Sequence, residues 1–442
     1  MTSSAFEIRE HVVEGQHIRE YPHATAHSQE DVLRLAVKQY IPKNNPDPQP
    51  GDITILASHA NGFVKELYEP LWGDMLVALA ARGVKVRGIW IADVAWQGQS
   101  GLLNHDLLGN DPSWLDHARD LLHLVNTFRA SMPRPLIGVG HSFGANVIVN
   151  LSLLHPRLLS SLVLLDPVLS RFTLRGPKYG FGPMKNTAYR RDLWPTRAAA
   201  EASFLKNAFY ATWDPRVLAL WNKHGLVPIT PSNAHLHPPA DSAAAESSSS
   251  RVTLTTSKHQ EVFTYYRPQS QSYDPHTGAR LPSDKATRAQ HLPDAGPDVT
   301  TPGGPGYEFD FYRPEGIQTT DKLPNVRPGV LWVFGALSDV NPPDVRAEKM
   351  ELTGVGVGGS GGVKAGRVKA ATIDGFGHLV PMEQTTRCAE LAAEFVADDL
   401  RVWREEEAAF RVWAGRSKVE KTMIDDDWKR WMGPVARREK KL

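Results

Sequence analysis

One pentapeptide carries most of the chemistry that this sequence predicts, Gly140-His-Ser-Phe-Gly144. It stands between a short apolar strand, 136–139, and an apolar segment of helix length. This is the pattern of a nucleophile elbow, a sharp turn that lifts the serine hydroxyl above the sheet. Side chains at Gly140 and Gly144 would collide with neighbouring backbone in such a turn. We therefore predict that Ser142 is a nucleophile for acyl transfer.

A serine nucleophile needs a base to take its proton, and His378 is the candidate for that role. His378 follows the last predicted strand, 367–374, in the string Gly375-Phe-Gly-His378. The glycines of that loop allow the imidazole to reach back toward Ser142. Of the 17 histidines in the chain, it is the only one placed in this way.

Two aspartates compete for the third role, which is to hold the base in its catalytic tautomer. Asp166 ends the strand after the nucleophile helix, and Asp339 follows the penultimate strand. Both stand between Ser142 and His378, so both satisfy the chain order serine, aspartate, histidine. The residues alone leave the choice between the two aspartates open.

Acyl transfer also needs backbone N–H donors for the oxyanion of its tetrahedral intermediate. The residue after the nucleophile, Phe143, supplies the first donor by its position. The second is expected in the loop His59-Ala-Asn-Gly-Phe63, which follows the predicted strand 53–58. We predict that the N–H of Asn61 is this donor, in a loop where Ala60 replaces the usual glycine.

The elements that must position these residues alternate between short apolar strands and helix-length stretches. Helices are predicted from about Lys65 to Arg82 and from Ser113, where Asp116 completes the pattern of a capping box. The alternation predicts an α/β fold, and the elbow with its triad order makes it an α/β-hydrolase fold with a mostly parallel central sheet. The predicted strands are 53–59, 84–93, 136–139, 162–166, 330–335 and 367–374.

The alternation stops from about 171 to 327, which predicts a large lid or cap insertion above the sheet. The stretches 238–250 and 274–306 are rich in Pro, Ser, Gly or Asp and read as mobile loops. Six aromatic residues in the insertion either line a lid or pack the insertion onto the core: Trp194, Phe204, Phe209, Tyr210, Trp213 and Trp221. The predicted domains are the first part of the core (1–170), the insertion (171–327), the second part of the core (328–400) and a charged tail (401–442).

Composition excludes several classes of protein. The 442 residues hold 50 Lys and Arg against 49 Asp and Glu, so no overall field favours nucleic acid. The N-terminus lacks the apolar core of a secretory signal, and no run is long enough to cross a membrane. A single cysteine, Cys388, excludes an intramolecular disulfide and suits a reducing compartment. We expect no cofactor and no metal.

Several strings outside the catalytic motifs are distinctive. They are 18–22 (IREYP), 65–72 (KELYEPLW), 88–93 (GIWIAD), 132–135 (MPRP), 153–158 (LLHPRL) and 359–363 (GSGGV). Together with 140–144 and 375–378, they make the chain resemble, over nearly its full length, the fungal peroxisomal α/β-hydrolases of secondary-metabolite clusters. That family includes type I acyl-CoA thioesterases and hydrolases of host-selective-toxin biosynthesis.

The resemblance implies a choice of acid and of substrate. In that family the triad acid follows the strand after the nucleophile helix, which implies Asp166 and leaves Asp339 in reserve. It also implies a serine hydrolase that cleaves an acyl-CoA thioester, while the more distantly similar peroxisomal lipase keeps a carboxylic ester or lipid substrate open. A non-catalytic binding protein on the same fold is the further alternative.

The last three residues, Lys440-Lys441-Leu442, resemble a peroxisomal C-terminal address of the Ser-Lys-Leu type. They predict a peroxisomal import receptor as a partner and a peroxisomal location, with the cytoplasm as the alternative. An ordinary basic tail is the other interpretation of the same residues. The sequence is also compatible with a homodimer.

Overall fold

The computed structural model describes residues 5–171, 181–230, 233, 250–268, 297–301, 303–307 and 311–434. Its centre is an eight-stranded sheet. The strands in chain order are β1 (Phe6–Glu14), β2 (Arg34–Pro42), β3 (Ile53–Ser58), β4 (Val86–Ala92), β5 (Leu136–His141), β6 (Leu159–Leu165), β7 (Gly329–Gly335) and β8 (Val368–Ile373). Their order across the sheet is β1-β2-β4-β3-β5-β6-β7-β8.

The strands β3 to β8 run parallel, as predicted, and their carboxyl ends therefore share one edge of the sheet. β1 and β2 add antiparallel pairs beside β4, and the sequence analysis missed both. β2 is almost wholly buried although it contains Lys38 and Gln39. The amine of Lys38 lies 3.2 Å from a carboxylate oxygen of Glu66 and 3.4 Å from one of Glu69, and these ion pairs compensate its burial. A search for apolar runs overlooks such a strand.

Helices cover both faces of the sheet. Because successive residues of a strand point to opposite faces, Ile55 and Leu56 of β3 enter two separate apolar clusters. α1 and α7 pack against one face, and α3 and α4 pack against the other. The helices are α1 (Glu69–Ala80), α2 (Gly98–Leu103), α3 (Trp114–Thr127), α4 (Phe143–Leu154), α5 (Pro343–Leu352), α6 (Val380–Glu383) and α7 (Thr385–Ala414). The architecture thus has three layers, a central sheet between two layers of helices, as expected for the predicted α/β-hydrolase fold.

The start of α3 corrects one prediction. The hydroxyl of Ser113 accepts a hydrogen bond from the backbone, as a cap should, but the predicted capping box is wrong. Asp116 instead accepts the N–H of Glu20 at 2.9 Å. The first N–H of the helix, that of Trp114, donates to Glu315 at 3.1 Å. Partners distant in the chain have displaced the local pattern.

Between β6 and β7 the chain forms short elements outside the central sheet. Five of the six predicted aromatic residues are buried and contact one another, and Phe209 is half exposed. Trp213 also meets Phe63 of the core, with ring centroids 5.5 Å apart. These rings pack the insertion onto the core, which was the simpler of the two alternatives. The helices are Phe181–Tyr189, Arg197–Leu205, Ala208–Ala211, Pro215–His224, Lys258–Tyr265, Pro297–Thr300 and Glu315–Lys322; the strands are Leu193–Trp194, Leu226–Pro228, Val252–Leu254, Arg267–Pro268 and Phe311–Tyr312.

Helices continue into the predicted charged tail, 401–442. α7 continues to Ala414, and two short helices follow, Lys418–Thr422 and Asp426–Met432. Within the described ranges, no helix is both long and apolar enough to span a membrane. The predicted import signal 440–442 lies outside the described residues, as does most of the predicted loops 238–250 and 274–306.

Candidate active site

The predicted elbow joins β5 to α4. Ser142 has φ 58° and ψ −122°, a backbone conformation that side chains rarely adopt. A Cβ atom at Gly144 would lie 2.3 Å from the carbonyl oxygen of Ser58, and one at Gly140 would lie 2.5 Å from the Cα of Ala145. Both distances are shorter than any van der Waals contact. The two glycines are therefore required for the turn that presents Ser142 at the carboxyl edge of the sheet.

Three predicted side chains form one hydrogen-bonded chain. Ser142 Oγ lies 2.8 Å from His378 Nε2, and His378 Nδ1 lies 2.6 Å from Asp166 Oδ2. They come from the ends of three strands, β5, β6 and β8, or from the loops that follow them. Asp166 is fully buried, whereas the imidazole of His378 keeps about a quarter of its surface exposed. The arrangement is that of a nucleophile, a base and the acid that orients the base.

Asp166 is held as a carboxylate. Burial opposes its ionisation, but hydrogen bonds from His378, from the hydroxyl of Ser338 at 2.5 Å and from the N–H of Gly335 at 3.1 Å outweigh burial. These donors hold the pKa of Asp166 below its ordinary value. A carboxylate fixed in this way stabilises an imidazolium at His378.

The competing aspartate, Asp339, is exposed and does not take this position. The hydrogen bond from Nδ1 of His378 goes to Asp166. The loop of Asp339 nevertheless contributes to the site, because its neighbour Ser338 donates to Asp166. The sequence analysis missed Ser338, and its position directly before a candidate acid is the signal that could have found it.

In the loop after β3, two backbone N–H groups are occupied by side chains. The N–H of Ala60 donates to the hydroxyl of Tyr68 at 2.8 Å, and the N–H of Gly62 donates to the side-chain oxygen of Gln97 at 2.8 Å. Among the described residues, none accepts a hydrogen bond from the N–H of Asn61. The N–H of Asn61 therefore stays the predicted second oxyanion donor.

The other predicted donor is the N–H of Phe143, the first residue of α4. The first N–H groups of a helix have no acceptor within the helix, and this one directly follows Ser142. Together Phe143 and Asn61 stay the predicted pair of oxyanion donors.

The insertion braces the loop of Asn61. The side-chain amide of Gln97 donates to Asn61 Oδ1 at 2.6 Å and to the hydroxyl of Thr264 at 2.9 Å. The amide of Asn61 donates to the backbone oxygen of Glu261 at 3.1 Å. Both Glu261 and Thr264 belong to the insertion helix Lys258–Tyr265. The insertion is thus part of the support for a predicted oxyanion donor.

A second support joins the two loops that flank the nucleophile, and the sequence analysis missed it. Burial lowers the pKa of His141 to about 3, so the ring is neutral and carries one N–H. Its Nε2 lies 3.1 Å from the carbonyl oxygen of His378, which can only accept. Its Nδ1 therefore accepts from the hydroxyl of Tyr68 at 2.9 Å, and that hydroxyl accepts from Ala60. One relay fixes both the oxyanion loop and the loop of the base.

We expect Tyr68→Phe to lower kcat by about tenfold, because unpaired buried groups at Ala60 and His141 cost about 1–3 kcal/mol and loosen both loops. KM should change little, since Tyr68 positions other groups and does not contact substrate. Steady-state kinetics with the best substrate measures both constants. The matched control is Tyr40→Phe, which removes another buried hydroxyl, one that donates to Glu69 at 3.0 Å. Equal kcat in the two variants would reduce Tyr68 to an ordinary core residue.

Comparison with known proteins decides the family. A sequence model of the Alpha/beta hydrolase family matches residues 55–394, which include all three members of the hydrogen-bonded chain. The chain belongs to the alpha/beta hydrolase family. The protein is thus a hydrolase enzyme, as predicted.

Relatives narrow the resemblance further. The hydrolase is 40% identical to the type I acyl-CoA thioesterase mpaH′ of Penicillium brevicompactum, across 100% of this chain and 98% of the relative. It is 38% identical to the thioesterase mpaH of Penicillium roqueforti, across 98% of this chain and 97% of the relative. An abhydrolase domain-containing protein of Alternaria alternata, AFT2-1, is 27% identical over 61% of this chain and 85% of its own length. The resemblance to fungal type I acyl-CoA thioesterases is confirmed, and it extends to abhydrolase domain-containing proteins of Alternaria.

A solved structure agrees in fold. The peroxisomal alpha-beta-hydrolase Lpx1 of Saccharomyces cerevisiae superposes with a TM-score of 0.62 at 15% identity, covering 94% of this chain and 99% of its own. In the part of this hydrolase that the structure describes, no cluster of three or more histidine, cysteine, aspartate or glutamate side chains could hold a metal ion.

Proposed function

We propose that this hydrolase cleaves an acyl-CoA thioester through an acyl-enzyme formed on Ser142. The observation that carries the proposal is the hydrogen-bonded chain from Ser142 through His378 to Asp166, with distances of 2.8 Å and 2.6 Å. The choice of a thioester rests on two relatives that are named acyl-CoA thioesterases and that match this chain over nearly their full length.

In the first half-reaction, Ser142 Oγ attacks the thioester carbonyl carbon and its proton passes to His378 Nε2. The negative charge that develops on the carbonyl oxygen is stabilised by the N–H groups of Phe143 and Asn61. When the tetrahedral intermediate collapses, its carbon–sulfur bond breaks and the CoA sulfur takes the proton from His378. The acyl group remains as an ester of Ser142.

In the second half-reaction, water replaces the thiol. His378 takes a proton from the water as it attacks the acyl ester, and the same N–H groups hold the second oxyanion. Collapse breaks the bond to Ser142 Oγ, which recovers its proton from His378 and releases the acid. A thiolate is a far weaker base than an alkoxide, so expulsion of CoA needs little help and deacylation is expected to limit the rate.

The test is thiol release from a panel of short, long and aromatic acyl-CoA thioesters, run beside the matching short esters and a triglyceride. The proposal predicts that the thioesters have the highest kcat/KM. Faster turnover of oxygen esters would favour the alternative of a carboxylic ester or lipid hydrolase. Absence of both activities, together with no labelling by a fluorophosphonate, would favour a binding protein on this fold.

We also propose that the hydrolase acts in the peroxisome, on the resemblance of Lys440-Lys441-Leu442 to a C-terminal import signal. A fluorescent protein fused to the N-terminus is expected to collect in peroxisomes of a fungal cell. The same fusion without the last three residues should stay in the cytoplasm. Import of the truncated fusion would exclude this tripeptide as the signal.

A further inference from the structure

A polar pocket lies at the amino ends of the parallel strands, whereas Ser142 lies at their carboxyl ends. It is formed where β5, β6, β7 and β8 begin, and α7 closes one side. A strand such as β5 rises about 3.3 Å per residue, so about 17 Å of sheet separates this pocket from the elbow. The cavity volume is about 30 Å³, and its mouth opens to solvent. The polar residues that line it include Arg134, Arg157, Ser160, Arg327, Arg367 and Trp403.

The charges in this pocket are only partly compensated. Arg367 lies 2.7 Å from a carboxylate oxygen of Asp399, and Arg134 meets two glutamates of α7 at the long distance of 3.5 Å. Arg157 and Arg327 have no carboxylate within 4.0 Å anywhere in the described ranges. Four guanidinium groups thus face three carboxylates, which leaves a positive charge at a concave site.

Several donors in the pocket lack an acceptor. Arg134 Nε, Ser160 Oγ and Trp403 Nε1 are buried, and none has a hydrogen-bond partner among the described residues. A buried donor without a partner is destabilising, so such groups are normally satisfied by protein, water or a ligand. Two of these three atoms, Arg134 Nε and Trp403 Nε1, can only donate. Any group that satisfies these two atoms must be a hydrogen-bond acceptor.

We propose that this pocket binds a phosphate group. A phosphate oxyanion accepts hydrogen bonds on every oxygen, matches the planar fork of a guanidinium and neutralises the excess charge of Arg157 and Arg327. The site does not depend on the proposed thioesterase function, since it shares no residue with the triad or the predicted oxyanion donors. The ligand is either free phosphate or the phosphate of a small ester, and both present the same oxygens.

The first experiment is calorimetric titration of the full chain with inorganic phosphate, at an ionic strength held constant with chloride. We expect saturable binding, and we expect the double variant Arg157→Gln/Arg327→Gln to bind at least tenfold more weakly. Both arginines are exposed, so the fold should tolerate their loss. The matched control is Arg129→Gln, an exposed arginine outside the pocket, which should bind as the wild type does. Ser142→Ala should also bind normally, which separates this site from the active site.

A second variant guards against an indirect effect of losing two charges. Ser160→Ala keeps every charge and removes one donor, and it should weaken phosphate binding several-fold while acyl-CoA turnover stays unchanged. A parallel titration with glycerol 3-phosphate distinguishes the sources, since tighter binding than phosphate indicates a phosphate ester. No saturable heat with either ligand, or equal affinities in the wild type and the double variant, would overturn the proposal.

Discussion

Ser142→Ala is expected to lower kcat for the best acyl-CoA of the panel by about 10⁴-fold or more, the usual effect of removing a serine nucleophile. The hydroxyl is the only atom of the residue that can form the acyl-enzyme. Alanine keeps the volume and the backbone of the turn, so the melting temperature should stay close to that of the wild type. Thiol release measures the loss, and mass spectrometry after fluorophosphonate treatment should find the adduct on Ser142 in the wild type alone.

The matched control for this variant is Ser152→Ala. Ser152 is a buried serine of α4, the helix that follows Ser142, and its hydroxyl donates to the carbonyl of Val149 at 2.7 Å. Its loss should lower stability slightly and leave kcat within about twofold, as for most substitutions outside a reacting site. A Ser142→Ala protein that still turned over acyl-CoA at the rate of Ser152→Ala would exclude the acyl-enzyme mechanism.

Asp166→Asn is expected to lower kcat by about 10⁴-fold, because it forces the wrong tautomer on the base. Asp166 Oδ1 accepts the N–H of Gly335, so an asparagine must keep its oxygen at that position. Its amide nitrogen would then face His378, whose Nδ1 would have to accept. The proton of a neutral imidazole would move to Nε2, which could no longer accept the proton of Ser142. The pH profile of kcat provides the second readout, since no rise in pH should restore activity.

The other candidate acid provides the control. Asp339→Asn changes an exposed side chain on the same loop as Ser338, and it should keep kcat within about twofold of the wild type. If Asp339→Asn lost activity and Asp166→Asn did not, the acid would be assigned wrongly. Loss in both variants, with the larger loss at Asp166, would fit a contact through Ser338.

The positions that could be predicted are those whose signal is local. Ser142 stands in a turn that only a strand, two glycines and a helix can make, so neighbouring residues suffice to find it. The placement of His378 follows from a glycine-rich loop after the last strand. The choice between Asp166 and Asp339 needed either the resemblance or the distances, because both aspartates follow parallel strands at the same edge.

The missed features depend on contacts between distant parts of the chain. His141 and Tyr68 are 73 residues apart, and no pattern in either segment indicates that a hydrogen bond joins them. The strand of Lys38 was missed because a charged residue interrupts its apolar pattern. Its partners, Glu66 and Glu69, lie just before α1 and in α1, so the sequence around Lys38 does not indicate them. The wrong prediction of a capping box at Asp116 has the same origin. The carboxylate of Asp116 accepts the N–H of the distant Glu20 and not an N–H at the start of its own helix.

The bonds from Gln97 to Asn61 and Thr264 make the loop of a predicted oxyanion donor depend on the insertion. In many modular enzymes a cap domain can be exchanged to alter substrate selectivity while the catalytic core stays intact. In this chain, an insertion taken from another protein would lack the hydroxyl of Thr264 and the carbonyl of Glu261, which hold the Asn61 loop. A replaced insertion would therefore have to keep the Thr264 hydroxyl and the Glu261 carbonyl of the helix Lys258–Tyr265, because these two groups hold Gln97 and Asn61 in place.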